Sequence, residues 1–196
     1  MADVGLGRET LPVAERLKLA RDVLPAGKTS GTCRDFALML CSILRQRGTP
    51  ARVRCGFATY FTANPFEDHW VCEFWNEKQG RWALADAQLD ELQRKQLSID
   101  FDTADLPRGK FFNAGQAWLM SRAGKADAMA FGHGETRGVW FLRVNLMRDQ
   151  LSLQKRETSD WDSWRALSAA DKMLSEKDLA ECDRIAEATN DPSPRT

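Results

Sequence analysis

The feature that most constrains this chain is a change of hydrophobic period at Pro50. Before it, Phe36, Leu40, Ile43 and Leu44 recur at helical spacing, and Gly48 follows as a natural stop residue. After it, Val53, Cys55 and Phe57 alternate with polar or small residues, the period-two signature of a strand. The spacing predicts a helix from about Thr32 to Arg47 that leads into a strand over 51–60. Two more strands follow, an aromatic-rich run over 69–75 and a short one over 82–86, with a turn at 76–80. A helix striped on one side and strands apolar on one face must bury those surfaces against each other. The expected fold class is therefore α+β, with the Cys33-bearing helix packed on an antiparallel sheet and further helices after it.

The flanks carry weaker signals. Thr10-Leu11-Pro12 looks like a capped helix start, and Pro25-Ala26-Gly27 ends that helix. Residues 87–97 return to helical spacing through Leu89, Leu92 and Leu97. Asp100 to Arg108 is an acidic loop, and Ala114 to Arg122 is helical. Gly138 to Val144 is a strand candidate, followed by a helix over 145–156. Ser175-Glu176-Lys177-Asp178 resembles a capping box that opens a last helix to about Ala188. No repeat or linker divides the chain, so residues 1–189 are expected to form one domain. Its core is at about 28–92, with a helical extension over 93–189 and a disordered tail at 190–196.

Composition excludes several classes. Lys+Arg 28 balance Asp+Glu 28, so no global field draws nucleic acid or an anionic membrane. The N-terminus lacks the apolar stretch of a secretory signal, and no apolar run approaches the ~20 residues that span a bilayer. The expected location is cytoplasmic. Five cysteines at irregular spacing (33, 41, 55, 72 and 182) do not form a disulfide framework. Without a C-x-x-C pair, and with two histidines in all, neither a structural metal nor a cofactor is expected. The default for each cysteine is a small buried apolar residue.

Cys33 departs from that default because of its neighbours in the pattern. It opens a helix in Gly31-Thr32-Cys33-Arg34-Asp35-Phe36. A free thiol has a pKa near 8.5, and only about 3% is thiolate at pH 7. A helix N-terminus carries roughly half a positive charge and unpaired N–H groups, which favour a thiolate and can also receive an oxyanion. His69 begins the next apolar strand and can take the thiol proton. Asp86 ends the strand after that and can hold the imidazole in one tautomer. With an even turn, Asn76 lies opposite Arg81 and His69 is diagonal to Asp86 on the same sheet face. An odd turn with Gly80 in a bulge would shift that register. Taken singly, each residue has a plainer reading: a core cysteine, a satisfied core histidine and a helix-capping aspartate.

Four motifs resemble the core of the transglutaminase-like superfamily, with its papain-like triad: Gly31-Thr32-Cys33-Arg34-Asp35-Phe36-Ala37, Pro50-Ala51-Arg52-Val53, Asp68-His69-Trp70-Val71 and Trp82-Ala83-Leu84-Ala85-Asp86. The remainder resembles an uncharacterised bacterial group within it. The resemblance implies a cysteine at a helix start with His and Asp on adjacent strands, hence catalytic Cys33, His69 and Asp86. It implies thiol-dependent acyl transfer or amide hydrolysis through an acyl-thioester, on a peptide or amide substrate that extends to proteins. The alternative is a catalytically silent binding module. Superfamily members of that kind have lost triad residues, and this chain has all three. Relatives often complete the oxyanion hole with an upstream Asn, Gln or Trp, and the 32 residues before Cys33 contain none. Thr32, Tyr60 and Trp70 are the candidates to take that place. A redox reading of Cys33 with Cys72 is poor, because Cys72 falls on the strand face opposite His69. Asp100, Asp102 and Asp105 read as a solvated loop, His133 as part of an exposed Gly-His-Gly loop, and Arg137, Arg143, Arg148, Lys155 and Arg156 as solvated surface.

Overall fold

The computed structural model describes residues 12–15, 17–18, 31–61, 65–157 and 173–190. Its elements are α1 (Cys33–Gln46), β1 (Ala51–Ala58), β2 (Phe66–Asn76), β3 (Arg81–Ala85), α2 (Glu91–Gln96), β4 (Phe111–Asn113), α3 (Ala114–Arg122), β5 (Phe131–His133), β6 (Thr136–Arg137), α4 (Val139–Leu153) and α5 (Glu176–Thr189). Residues 13–15 and 17–18 are helical. The rest of the helix expected there, and the tail from 191 on, lie outside the described residues.

The architecture is α+β, around a six-stranded sheet of order β4-β1-β2-β5-β6 with β3 also paired to β2. The sheet is mixed: β1–β2, β1–β4, β2–β3 and β5–β6 are antiparallel, and β5 runs parallel to β2. One edge of β2 is shared. β5 takes Phe66 and Glu67, and β3 takes Cys72 to Asn76. Neither ladder reaches residues 68–71 on that edge, and His69 stands at this split.

The turn between β2 and β3 has the even length that the hairpin needs. Asn76 pairs with Arg81 and Cys72 with Ala85, and Gly80 adopts φ 61, a conformation glycine supplies without a Cβ penalty. The helix α1 lies on the face formed by Ala51, Val53, Cys55, Trp70 and Cys72. Its inward surface differs from the expected stripe. Ala37 and Cys41 are buried, with Leu38, Leu40 and Leu44 beside them, while Phe36 and Ile43 are 40% and 41% exposed. Small side chains at 37 and 41 let the helix sit close to the sheet, which turns the bulkier Phe36 and Ile43 outward.

The segment after residue 92 is not purely helical as expected, since it supplies β4, β5 and β6 to the sheet. Gly138 to Val144, a strand candidate by sequence, is the N-cap and first turns of α4. Its apolar run looked strand-like because α4 buries most of its circumference: Phe141, Leu142, Val144 and Leu146 join Phe57, Trp118, Phe131 and Ala186 in the largest core cluster. The α4 helix also covers the free edge of β1. Asp149 accepts the Cys55 N–H at 3.0 Å and binds the Arg54 guanidinium at 2.9 and 2.8 Å. Arg54 in turn reaches Glu73 at 3.0 Å and the Thr189 carbonyl. An edge that would otherwise present unpaired backbone groups is thereby closed. Arg148, expected on the surface, is buried, with Asn145 at 2.8 Å and Asp68 at 3.8 Å, and Arg143 pairs with Asp178. Among the described residues, no helix is long and apolar enough to cross a membrane.

Candidate active site

Cys33 is the first residue of α1 and is half-buried. The helix starts here because Thr32 is in extended conformation and Asp35 folds back onto it. The Asp35 carboxylate accepts the Thr32 N–H at 2.8 Å and the Thr32 hydroxyl at 3.2 Å. Both Thr32 donors are thus engaged in capping, so this oxyanion candidate points at Asp35. The thiol packs against the cluster that contains Trp70. Trp70 itself is 2% exposed, with the Arg34 guanidinium 5.9 Å from its ring, and serves as a wall of that core.

His69 and Asp86 are both buried, and His69 Nε2 lies 2.7 Å from Asp86 Oδ2. The contact follows from register. Extending the β2–β3 pairing one step beyond Cys72–Ala85 sets Val71 opposite Asp86, with His69 the diagonal neighbour on the same face. Nε2 faces a carboxylate, so it carries the proton, and Nδ1 is the ring nitrogen left to act as a base toward the thiol. The rings of Tyr60 and Phe61 stand at 5.9 and 4.9 Å from the imidazole, edge-on, and exclude water from it.

Asp86 closes β3 but caps no helix. Its backbone N–H donates to the Thr103 carbonyl at 2.8 Å, and its Oδ1 accepts the Gln88 N–H at 2.9 Å. The cap of α2 is Asp90, whose carboxylate accepts the Gln93 N–H. The helix therefore begins later than the periodicity of 87–97 predicts. Leu89 precedes it and is buried, while Leu92 is exposed.

Tyr60, the chain's single tyrosine, donates its hydroxyl to Asp86 Oδ2 at 2.6 Å. Burial first, then the Asp86 carboxylate, then the nearby Cys33 sulfur, push the phenol's pKa upward and keep it a donor. The reading of Tyr60 as an oxyanion donor missed this role: its one proton is committed to Asp86. For Asp86, burial opposes ionisation, but the interaction with His69 and the hydrogen bonds from His69, Tyr60 and Gln88 outweigh it and hold the carboxyl below the usual carboxylate range.

On the other side of His69, the sequence reading missed a second pair. His133, expected in an exposed loop, is exposed as expected but ends β5, and its Nδ1 is 2.5 Å from Glu67 Oε1. Asp68 is held by Asn145 at 2.8 Å, and its carboxyl is pushed upward by burial against the opposing pull of Arg148. A Gly-His-Gly sequence reads as a loop because a three-residue strand leaves no periodic signal. Asp105 of the acidic loop forms an ion pair with Arg81, and no group of metal-ligating side chains occurs among the described residues.

Residues 9–87 match the family model of the transglutaminase-like superfamily. This stretch of the chain is similar to a transglutaminase-like core. The matched span includes Cys33, His69 and Asp86 and ends one residue after the last of them. No curated protein and no solved structure matches the chain.

Proposed function

We propose that this transglutaminase-like chain is a cysteine-dependent enzyme that cleaves or transfers an amide acyl group through an acyl-thioester on Cys33. The observation that carries the reading is the buried 2.7 Å contact between His69 Nε2 and Asp86 Oδ2, in a chain whose Cys33 is the first residue of a helix. In this scheme His69 Nδ1 removes the thiol proton and the sulfur attacks the amide carbonyl. The positive end of α1 faces the oxyanion that forms. The imidazolium, stabilised by Asp86, then protonates the leaving amine. Water or a second amine attacks the thioester, His69 takes its proton, and the thiol is regenerated. Tyr60 acts through Asp86 as a positioning residue.

The test is incubation of the full chain with glutamine-containing and simple amide donors, with and without a primary amine acceptor. Ammonia or amine release is followed, together with the mass of the Cys33 peptide. Expected is an acyl adduct on Cys33 and turnover that is abolished in Cys33→Ser. A folded protein that forms no Cys33 adduct and releases nothing with any donor would replace this reading with that of a binding module that keeps the fold.

A further inference from the structure

We propose that Cys41 and Cys72 form a second thiol site, a dithiol that small hydroperoxides oxidise to a disulfide joining α1 to β2. The site stands apart from the triad and does not depend on Cys33 being a nucleophile. Cys41 is on the inward face of α1 and Cys72 on the face of β2 that receives it. Both belong to one buried cluster, close enough that each perturbs the other's ionisation.

Three further features distinguish this pair from ordinary core cysteines. Cys41 borders a cavity of about 60 Å³ that is also lined by Arg34, Ser42, Arg45, Lys155 and Arg156. A water needs roughly 10–15 Å³ of such space, so a two-oxygen molecule has room to reach the sulfur. Four cationic side chains line this cavity against one carboxylate, Glu157, the electropositive setting in which thiols become reactive. The two sulfurs are also made unequal. Interaction with Cys72 lowers Cys41, burial opposes this, and Arg45 adds to it. Cys72 is pushed up by the same interaction and by burial. Cys41 is the one of the two that lines the cavity, so it is the attacking thiolate, and Cys72 is the thiol that resolves the product.

The chemistry balances with the hydroperoxide as two-electron oxidant. The Cys41 thiolate attacks one peroxide oxygen, the O–O bond breaks, and hydroxide leaves, giving a sulfenic acid. The Cys72 sulfur then attacks the Cys41 sulfur, forming the S–S bond and releasing water. Cys41 lies two turns along α1 from Cys33, and Cys72 lies three residues along β2 from His69. The bond therefore ties together the two elements that carry the nucleophile and the base.

The experiment uses the full chain carrying Cys33→Ser, so that the triad thiol consumes no oxidant. The folded protein is treated with hydrogen peroxide at neutral pH, blocked with an alkylating agent and digested without reductant. Expected is a Cys41–Cys72 linked peptide that dithiothreitol reverses, with Cys55 and Cys182 recovered as thiols. Cys182, on α5, has its thiol pushed up to about 11, chiefly by burial. Adding Cys72→Ser halts the reaction at a Cys41 sulfenic acid, captured with dimedone. Arg45→Gln slows linkage about threefold, the size expected of one partly screened charge. Recovery of Cys41 and Cys72 as thiols under conditions that oxidise Cys55 or Cys182, or linkage only in urea, overturns the proposal. Should Cys72→Ser fail to fold, the linked peptide in the Cys33→Ser chain decides alone.

Discussion

Replacing Tyr60 with phenylalanine tests the arrangement around Asp86. The substitution removes one oxygen and leaves the ring with its packing against Phe61 and Phe101, at 4.8 and 5.5 Å between centroids, so no cavity opens. It deletes the 2.6 Å hydrogen bond to Asp86 Oδ2. A hydrogen bond to a charged group contributes roughly 1.5–3 kcal/mol. It is one of the contacts that hold the Asp86 carboxyl below its usual range against the opposing effect of burial. That lowering makes a stability contribution present above the unfolded carboxylate value of about 3.9 and lost as pH falls through the folded value. Removing the hydroxyl moves the folded value back up, so the variant loses part of this contribution at neutral pH and has less to lose in acid. The expected result in urea unfolding at pH 7, followed by tryptophan fluorescence, is a loss of about 2 kcal/mol at unchanged m-value. Below about pH 4 the gap between the two proteins narrows toward the ~1 kcal/mol of a bond to a neutral carboxyl. Other carboxyl groups titrate alike in both proteins and cancel in the difference. A gap below about 0.5 kcal/mol at pH 7, or one that stays constant into acid, would refute the claim that the phenol stabilises an ionised Asp86.

Two further outcomes follow from the same geometry. Asp86→Asn keeps the fold but lowers Cys33-dependent amide turnover by about two to four orders of magnitude, through loss of the His69 tautomer and of imidazolium stabilisation. Asp90→Asn, at the exposed cap of α2 where asparagine caps equally well, leaves turnover unchanged, and steady-state kinetics on the pair separates a specific role from loss of negative charge. Asp149→Asn removes the carboxylate that faces Arg54 across the β1 edge and lowers unfolding free energy by about 3 kcal/mol, read as a shift in urea midpoint. A shift within about 0.5 kcal/mol would mean that Glu73 and the Thr189 carbonyl suffice to hold Arg54.

Much of the site was legible because its parts are close in sequence and obey local rules. The period change at Pro50 marked α1 and β1. The alternation around His69 and Trp82 marked the hairpin but allowed an even turn or an odd one with Gly80 in a bulge; the structure has the even turn, and that register puts His69 within reach of Asp86. Capping chemistry located the start of α5 at Ser175. These features depend on backbone geometry and side-chain period, which a linear chain carries with it. What depends on distant pairing was silent. Gly138 to Val144 is as apolar as a strand, and only its burial among Phe57, Trp118 and Phe131 makes it a helix. The short strands β4 and β5 form where β1 and β2 offer an edge, and β6 pairs in turn with β5. Arg148 counts as surface by composition and is buried by Asp68 and Asn145. Tyr60 finds Asp86 across 26 residues, and Cys41 joins the buried cluster of Cys72 because a small-residue face lets α1 lie close to β2. The sequence by itself determined that His69 and Asp86 sit on neighbouring strands, at positions that share a face when the turn is even. The tertiary structure decided which groups hold Asp86 in place, which cysteines meet, and which charges are buried, because hydrogen bonds and desolvation are set by neighbours that no local period encodes.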